Sequence, residues 1–153
     1  MTDETYRAAM RTRIGERWDV VWATIPRALD HADSEGVHDV RVASRRLRAA
    51  MDIAAPAFPA AWFPPLHKLA RNITVELGAV RDREVMLAYL TQARDEAPPN
   101  ERPGIERLIT RVEQERIAAR NEMEGYLQRI CAQGLQEESR RRFPAERSGG
   151  KSG

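Results

Sequence analysis

The chain has 153 residues, of which 42% are apolar and 31% are charged, and its net charge is only +2. This length and composition are typical of a single globular domain with a charged surface and a sizeable core. They exclude a membrane-spanning chain, because no stretch approaches the ~20 consecutive apolar residues that a span needs.

The N-terminal sequence and the cysteine content predict a cytoplasmic protein. The first residues, MTDETYRAAM, start acidic and lack a hydrophobic signal core, so we expect no export signal. The single cysteine, Cys131, cannot form an internal disulfide, which fits a reducing compartment. We expect this cysteine to be a small buried or half-buried side chain and not a nucleophile.

The first two predicted elements are helices over residues 4–31 and 36–55. Apolar residues of the first helix recur at three- and four-residue steps, and they are Ile14, Trp18, Val21, Trp22, Ile25 and Leu29. Pro26 lies inside this stretch and is expected to kink the helix without necessarily ending it. The turn at residues 33–36, with the sequence DSEG, offers N-cap chemistry for the second helix.

A third helix is predicted over residues 64–96, after a proline-rich connection. Its apolar stripe consists of Leu66, Leu69, Ala70, Ile73 and Leu77. After Gly78 the stripe loses phase, and the sequence becomes apolar around much of the helix circumference. This change predicts either a kink near Gly78 or a helix with neighbours on two sides.

A fourth helix is predicted over residues 101–133, and a polar, disordered tail over residues 134–153. The sequence shows no β-type alternation of apolar and polar residues. The predicted fold is therefore all-α, with an antiparallel four-helix bundle in residues 4–133.

The second helix carries a basic segment, VHDVRVASRRLR, at residues 37–48. On a helical wheel four of its side chains share an arc of about 80°, opposite the core-facing residues. We call them the basic row: His38, Arg41, Arg45 and Arg48. The row covers about 15 Å of helix and suits an extended anion, because guanidinium groups bind phosphate through two parallel hydrogen bonds. The alternative is a solvated charged face that Asp39 and Asp52 partly neutralise.

Two further helices carry basic residues at or near their apolar stripes. His67, Lys68 and Arg71 lie beside the stripe of the third helix, and Arg116 and Arg120 lie within and at the edge of the fourth. A buried charge needs a partner or a wet cavity. Arg116 therefore either contacts a bound anion or forms a structural ion pair with Asp82 or Glu84, and the sequence leaves both possibilities open.

The sequence offers little that would support catalysis. The three histidines, His31, His38 and His67, show no metal-ligand spacing. No phosphate-binding glycine loop and no cysteine–histidine nucleophile arrangement is found. We therefore expect a binding module, not an enzyme, with no catalytic residue, no metal and no cofactor.

Two segments make the chain similar to the conserved histidine α-helical domain family, abbreviated CHAD. They are VHDVRVASRRLR at 37–48 and LGAVRDREVMLAYL at 77–90, and the run ERIAARNEMEGYL at 115–127 also fits. The resemblance covers about residues 5–130. It implies a helical fold in which basic residues line a cavity or channel that binds inorganic polyphosphate. The ligand residues that it implies are His38, Arg41, Arg45, Arg46, Arg48, Lys68, Arg71, Arg116 and Arg120. Arg81 and Asp82 would be structural, as an ion pair that braces helices.

The sequence departs from that family in one respect, because members usually contain two such four-helix units with the basic channel between them. The resemblance therefore implies either a homodimer that rebuilds the channel or a single unit with a shallower site. Two other functions stay open. One is nucleic-acid binding, although stacking aromatic residues are missing from the basic row and the three tryptophans are expected in the core or an interface. The other is a helical adaptor whose arginines meet an acidic protein.

Overall fold

The computed structural model describes residues 2–144, and every regular element in that range is helical. The prediction of an all-α fold is thereby confirmed. The elements are α1 (Asp3–Leu29), α2 (Gly36–Ala54), a short 3-10 turn (Ala55–Ala57), α3 (Phe63–Glu96), α4 (Arg102–Ala132) and α5 (Leu135–Arg142). The first four helices begin and end within two residues of the predicted bounds.

Local chemistry explains where α1 begins and how it continues. The backbone N–H of Thr5 donates to the Thr2 hydroxyl oxygen at 3.0 Å, which caps the first turn. The acidic residues Asp3 and Glu4 follow the cap, where the helix dipole favours negative charge. The helix then runs through Pro26 to Leu29, so the proline does not end it, as expected.

Consecutive helices pack against one another, α1 on α2, α2 on α3 and α3 on α4. The loops at 30–35 and 97–101 are short, so these neighbours are antiparallel. The core is built from α1, α2, the first half of α3 and the last part of α4. We call residues 81–96 of α3 and 102–118 of α4 the distal hairpin, within which only Leu90 is buried. The distal hairpin therefore extends past the core.

Two glycines allow close approaches between helices. A Cβ at Gly36 would lie 2.0 Å from the carbonyl oxygen of Arg27, so the start of α2 touches the backbone of α1. A Cβ at Gly78 would lie 3.3 Å from Nε of Arg41. The helix α3 is continuous through Gly78 and contacts α2 and α4, which agrees with the second of the two interpretations made from the sequence.

The prediction of a disordered tail from residue 134 is wrong for residues 135–143. Residues 135–142 form α5, and the residue after it, Phe143, is 1% exposed. The Phe143 ring packs against Phe58, Trp62 and Phe63, with centroids 5.4–6.1 Å apart. Contacts with distant parts of the chain hold this charged helix in place. The sequence of α5 contains no repeating pattern of apolar residues that would predict these contacts. Residues 145–153 lie outside the described residues.

The tryptophans lie where the sequence predicted. Trp18 and Trp22 are buried and stack with centroids 5.5 Å apart, and Trp62 is packed against the core. The indole N–H of Trp22 donates to the Ser139 hydroxyl at 2.9 Å. This bond joins α1 to α5.

Candidate functional site

The register of α2 against α3 determines which basic residues come together. Three contacts fix it, and they are Arg41 against Gly78, Thr74 donating to the Ser44 hydroxyl at 3.0 Å, and His67 with Asp52 at 2.5 Å. In each pair the number rises along α2 as it falls along α3. Arg48 is therefore placed at the same level as Arg71, near the start of α3.

Arg41 lies flat against α3 because Gly78 has no side chain. Its Nε and Cζ atoms are 3.3 and 3.9 Å from the position that a Cβ of Gly78 would take. Its Nε is buried and has no hydrogen-bond partner within residues 2–144. The glycine of the LGAVRD segment thus positions an arginine whose guanidinium is not engaged by any acidic residue of the described chain.

The two acidic residues of α2 are engaged by groups outside the basic row. Asp39 is bound by Arg27 of α1 at 2.7 Å. Asp52 is bound by His67 at 2.5 Å and lies 3.9 Å from Arg48, at the edge of ion-pair range. The sequence-based alternative, in which these two acids neutralise the row, therefore holds only weakly and only at Arg48.

Arg27 lies between two carboxylates at the turn from α1 to α2. It binds Asp39 and also donates from Nε to Asp33 at 2.8 Å. This hydrogen bond lowers the pKa of Asp33, and both carboxylates raise the pKa of Arg27. Arg27 of α1 therefore binds Asp39, the acidic residue next to His38 in the sequence.

Arg45 and Arg46 are both exposed and form no ion pair within the described chain. They project to different sides of α2. Arg46 and His38 line a groove against α1, whereas Arg45 lines only a second depression, which it shares with Val42 and Arg46. Arg17 of α1 lines the same groove, and sequence reasoning missed it. The signal was present, because Arg13, Arg17, Val20 and Thr24 form a helical stripe on α1.

A search against protein-family models matches residues 12–151 to the CHAD domain, which is nearly the whole chain. The chain belongs to the CHAD family. The resemblance seen in the sequence is thereby confirmed, and this family is linked in general to polyphosphate binding. Searches of curated proteins and of solved structures returned no significant match.

Two of the implied ligand residues, Lys68 and Arg71, lie on α3 beside the far end of α2 in this CHAD domain. Lys68 is exposed, and Arg71 lines a pocket of about 200 Å³ together with His67, Phe58 and Phe63. Neither Lys68 nor Arg71 forms an ion pair within the described chain. The helix register brings both residues to the Arg48 end of the basic row.

The two arginines of α4 that the resemblance implies as ligands, Arg116 and Arg120, are held by ion pairs with acids of their own helix. Arg116 forms two hydrogen bonds with Glu113 at 2.6 and 3.0 Å, which raise the pKa of Arg116 and lower that of Glu113. The expected ion pair therefore exists, but its partner is Glu113 of the same helix and not Asp82 or Glu84. Glu84 only adds to the electrostatic stabilisation.

Arg120 is 8% exposed and joins α4 to the end of α1. It donates to the carbonyl of Ala28 and to Glu124, each at 2.9 Å. Glu124 also contacts His31 at 2.5 Å. A buried arginine with these partners is not available to an extended anion. Arg120 therefore has a structural role in this CHAD domain.

Three further expectations from the sequence concern Cys131, the Arg81–Asp82 pair, and metal or membrane binding. Cys131 is exposed, so the expected burial is wrong, although partial desolvation raises the pKa of its thiol. Arg81 pairs with Glu84 of the same helix at 3.3 Å, and the expected ion pair of Arg81 with Asp82 is not formed within residues 2–144. Within residues 2–144 no group of three metal-ligating side chains occurs and no helix is long and apolar enough to cross a membrane.

Proposed function

We propose that this CHAD domain binds inorganic polyphosphate along α2 by charge neutralisation. One observation carries the proposal: the acids nearest to the basic row are engaged elsewhere, Asp39 by Arg27 and Asp52 by His67. Arg41 and Arg45 have no acidic partner within the described chain. Like charges at helical spacing repel one another, so a row in which only Arg48 lies within ion-pair range of an acid favours an anionic ligand.

The row matches an extended anion better than a single phosphate. Arg41 and Arg48 are seven residues apart, which corresponds to about 10 Å of helix. Guanidinium groups along this length can each hold oxygens of successive phosphates. Nucleic acid fits less well, because single-strand recognition uses aromatic stacking and both Trp18 and Trp22 are buried.

We also propose that two copies associate through one exposed apolar face of α3 and so complete the basic channel. The support is a stripe of large apolar side chains on one face of α3 that are 48–68% exposed, and they are Val75, Val85, Met86 and Tyr89. Sedimentation velocity on Met86→Lys tests this proposal, with Ile53→Lys as the control because Ile53 is 69% exposed at the end of α2. We expect the parent and Ile53→Lys to be dimers and Met86→Lys to be a monomer. A monomeric parent would refute the dimer and leave a shallower, single-unit site.

The domain is proposed to act as a binding module without catalysis, in the cytoplasm. In support, His38 lines the same groove as Arg17 and Arg46, and the Thr24 hydroxyl of that groove donates to carbonyls of its own helix. The lone Cys131 cannot form an internal disulfide, which suits a reducing compartment. Incubation with polyphosphate followed by a phosphate-release assay should detect no product.

Calorimetric titration with long-chain polyphosphate tests the proposed function, with orthophosphate and single-stranded RNA at equal phosphate concentration as controls. We expect tight binding of polyphosphate, weak binding of RNA and none of orthophosphate. The affinity should fall steeply with salt because bound counterions are released. Equal affinity for RNA would favour a general polyanion binder, and inertness to all three would favour the helical adaptor.

A further inference from the structure

A groove between α1 and α2 contains basic residues from both helices. It encloses about 520 Å³ and is lined by Arg17, Val20, Thr24, His38, Asp39, Val42, Ala43 and Arg46. Two guanidinium groups and one imidazole therefore border one concave space, and apolar side chains form much of the rest.

The charges of this groove are not balanced within the described chain. Its one acid, Asp39, is bound by Arg27 at 2.7 Å. Arg17 and Arg46 form no ion pair or hydrogen bond within residues 2–144. The Thr24 hydroxyl points back to carbonyls of its own helix, at 2.8 and 3.2 Å. An anion entering the groove would thus find free donors from Arg17 and Arg46 and no free carboxylate.

The groove adjoins a second depression on the surface of α2. This depression of about 300 Å³ is lined by Val42, Arg45 and Arg46, and it shares Val42 and Arg46 with the groove. A chain-like anion can therefore pass from Arg17 over Arg46 to Arg45. A single phosphate bound in the groove would not need this connection.

We infer that Arg17 is a ligand-binding residue and that polyphosphate crosses α2 instead of only following it. One segment of the anion lies in the α1/α2 groove between Arg17, His38 and Arg46. The adjoining segment passes Arg45 and reaches Arg41 on the α3 side. This inference rests on the proposed function, since it specifies where the same ligand runs.

The test compares Arg17→Ala and Arg46→Ala with Arg107→Ala, using long-chain polyphosphate in calorimetric titrations at several salt concentrations. All three variants lose one positive charge, but Arg107 is an exposed residue of the distal hairpin. We expect the first two to weaken binding by about five- to tenfold, as the loss of a charge-assisted contact does. Each should also reduce the slope of log affinity against log salt by about 0.7, by analogy with single-stranded nucleic acid. Arg107→Ala should stay within about twofold of the parent.

Two further variants make the outcome decisive. Arg17→Lys keeps the charge and loses the planar fork, so it should recover most of the salt slope and only part of the affinity. The double variant Arg41→Ala/Arg45→Ala reports on the basic row itself. If Arg17→Ala binds like Arg107→Ala while the double variant is weakened, the inference is overturned and the proposed function stands. If the double variant binds like the parent, the proposed function fails.

Discussion

Substituting the two close-approach glycines by alanine should give opposite results, although the chemical change is the same. At Gly36 the new Cβ would lie 2.0 Å from the carbonyl oxygen of Arg27, more than 1 Å inside ordinary contact. That oxygen belongs to the backbone, so α1 and α2 must separate. Overpacking of this kind costs about 3 kcal/mol. For a domain of this size the loss corresponds to a drop of roughly 6–12 °C in Tm.

At Gly78 the new Cβ would lie 3.3 Å from Nε of Arg41, only a few tenths of an ångström too close. The obstructing atom belongs to a side chain that can shift. Alanine in a helix interior is favoured over glycine by about 0.8–1.0 kcal/mol, so Gly78→Ala should leave the free energy of unfolding unchanged or raise it. The displaced guanidinium should weaken polyphosphate binding by about two- to threefold.

Urea denaturation gives the free energies of unfolding, and calorimetric titration gives the affinities. We expect the free energy of unfolding to fall in Gly36→Ala, and we expect the affinity for polyphosphate to fall in Gly78→Ala without a loss of stability. A Gly36→Ala variant that unfolds like the parent would refute the close approach of α1 and α2. A Gly78→Ala variant with lowered stability and unchanged affinity would refute the role given to Arg41.

Three other predictions concern the contacts that hold the fold. Phe143→Ala should lower the free energy of unfolding, measured by urea denaturation, by about 3–5 kcal/mol, because Phe143 is only 1% exposed. An unchanged denaturation midpoint would contradict the packing of α5. Arg27 lowers the pKa of Asp33, so their contact adds stability above the ordinary carboxyl pKa and is lost as pH falls through the lowered value. When the free energy of unfolding is measured against pH, Arg27→Met should be less stable than the parent at neutral pH, and the difference should shrink in acid. A difference in stability that does not change with pH would contradict this contribution of the Arg27–Asp33 contact. Arg120→Met should cost about 3 kcal/mol in thermal denaturation and leave polyphosphate affinity unchanged, whereas reduced affinity would return Arg120 to the ligand set.

The four long helices could be predicted because their apolar residues follow a helical period for several turns. The last helix could not be predicted in the same way. Its sequence, LQEESRRR, is charged, and its position depends on Phe143 and Ser139 meeting residues more than 70 positions away. Such contacts arise only from the packed arrangement of α1 and α3.

For the candidate site, the sequence predicted which basic residues share one side of α2, but it did not predict their partners on other elements. A period of 3.6 residues grouped the basic row on one side of α2, and the position of Arg116 in an apolar stripe correctly indicated a need for a partner. The identity of that partner, Glu113, depended on side-chain geometry within one turn. Arg17 was missed although it belongs to a helical stripe on α1, because the sequence of α1 alone does not show that Arg17, Val20 and Thr24 lie beside α2.

The most direct test of the account compares two double variants in titrations with long-chain polyphosphate. Arg41→Ala/Arg45→Ala removes two charges from the basic row, and Arg107→Ala/Arg111→Ala removes two exposed charges from the distal hairpin. We predict that the first weakens binding by about 30-fold, roughly 1 kcal/mol for each arginine, and that the second stays within about twofold of the parent. Equal losses in both variants would show that net charge alone drives binding, and parental affinity in the first would contradict the assignment of the site to α2.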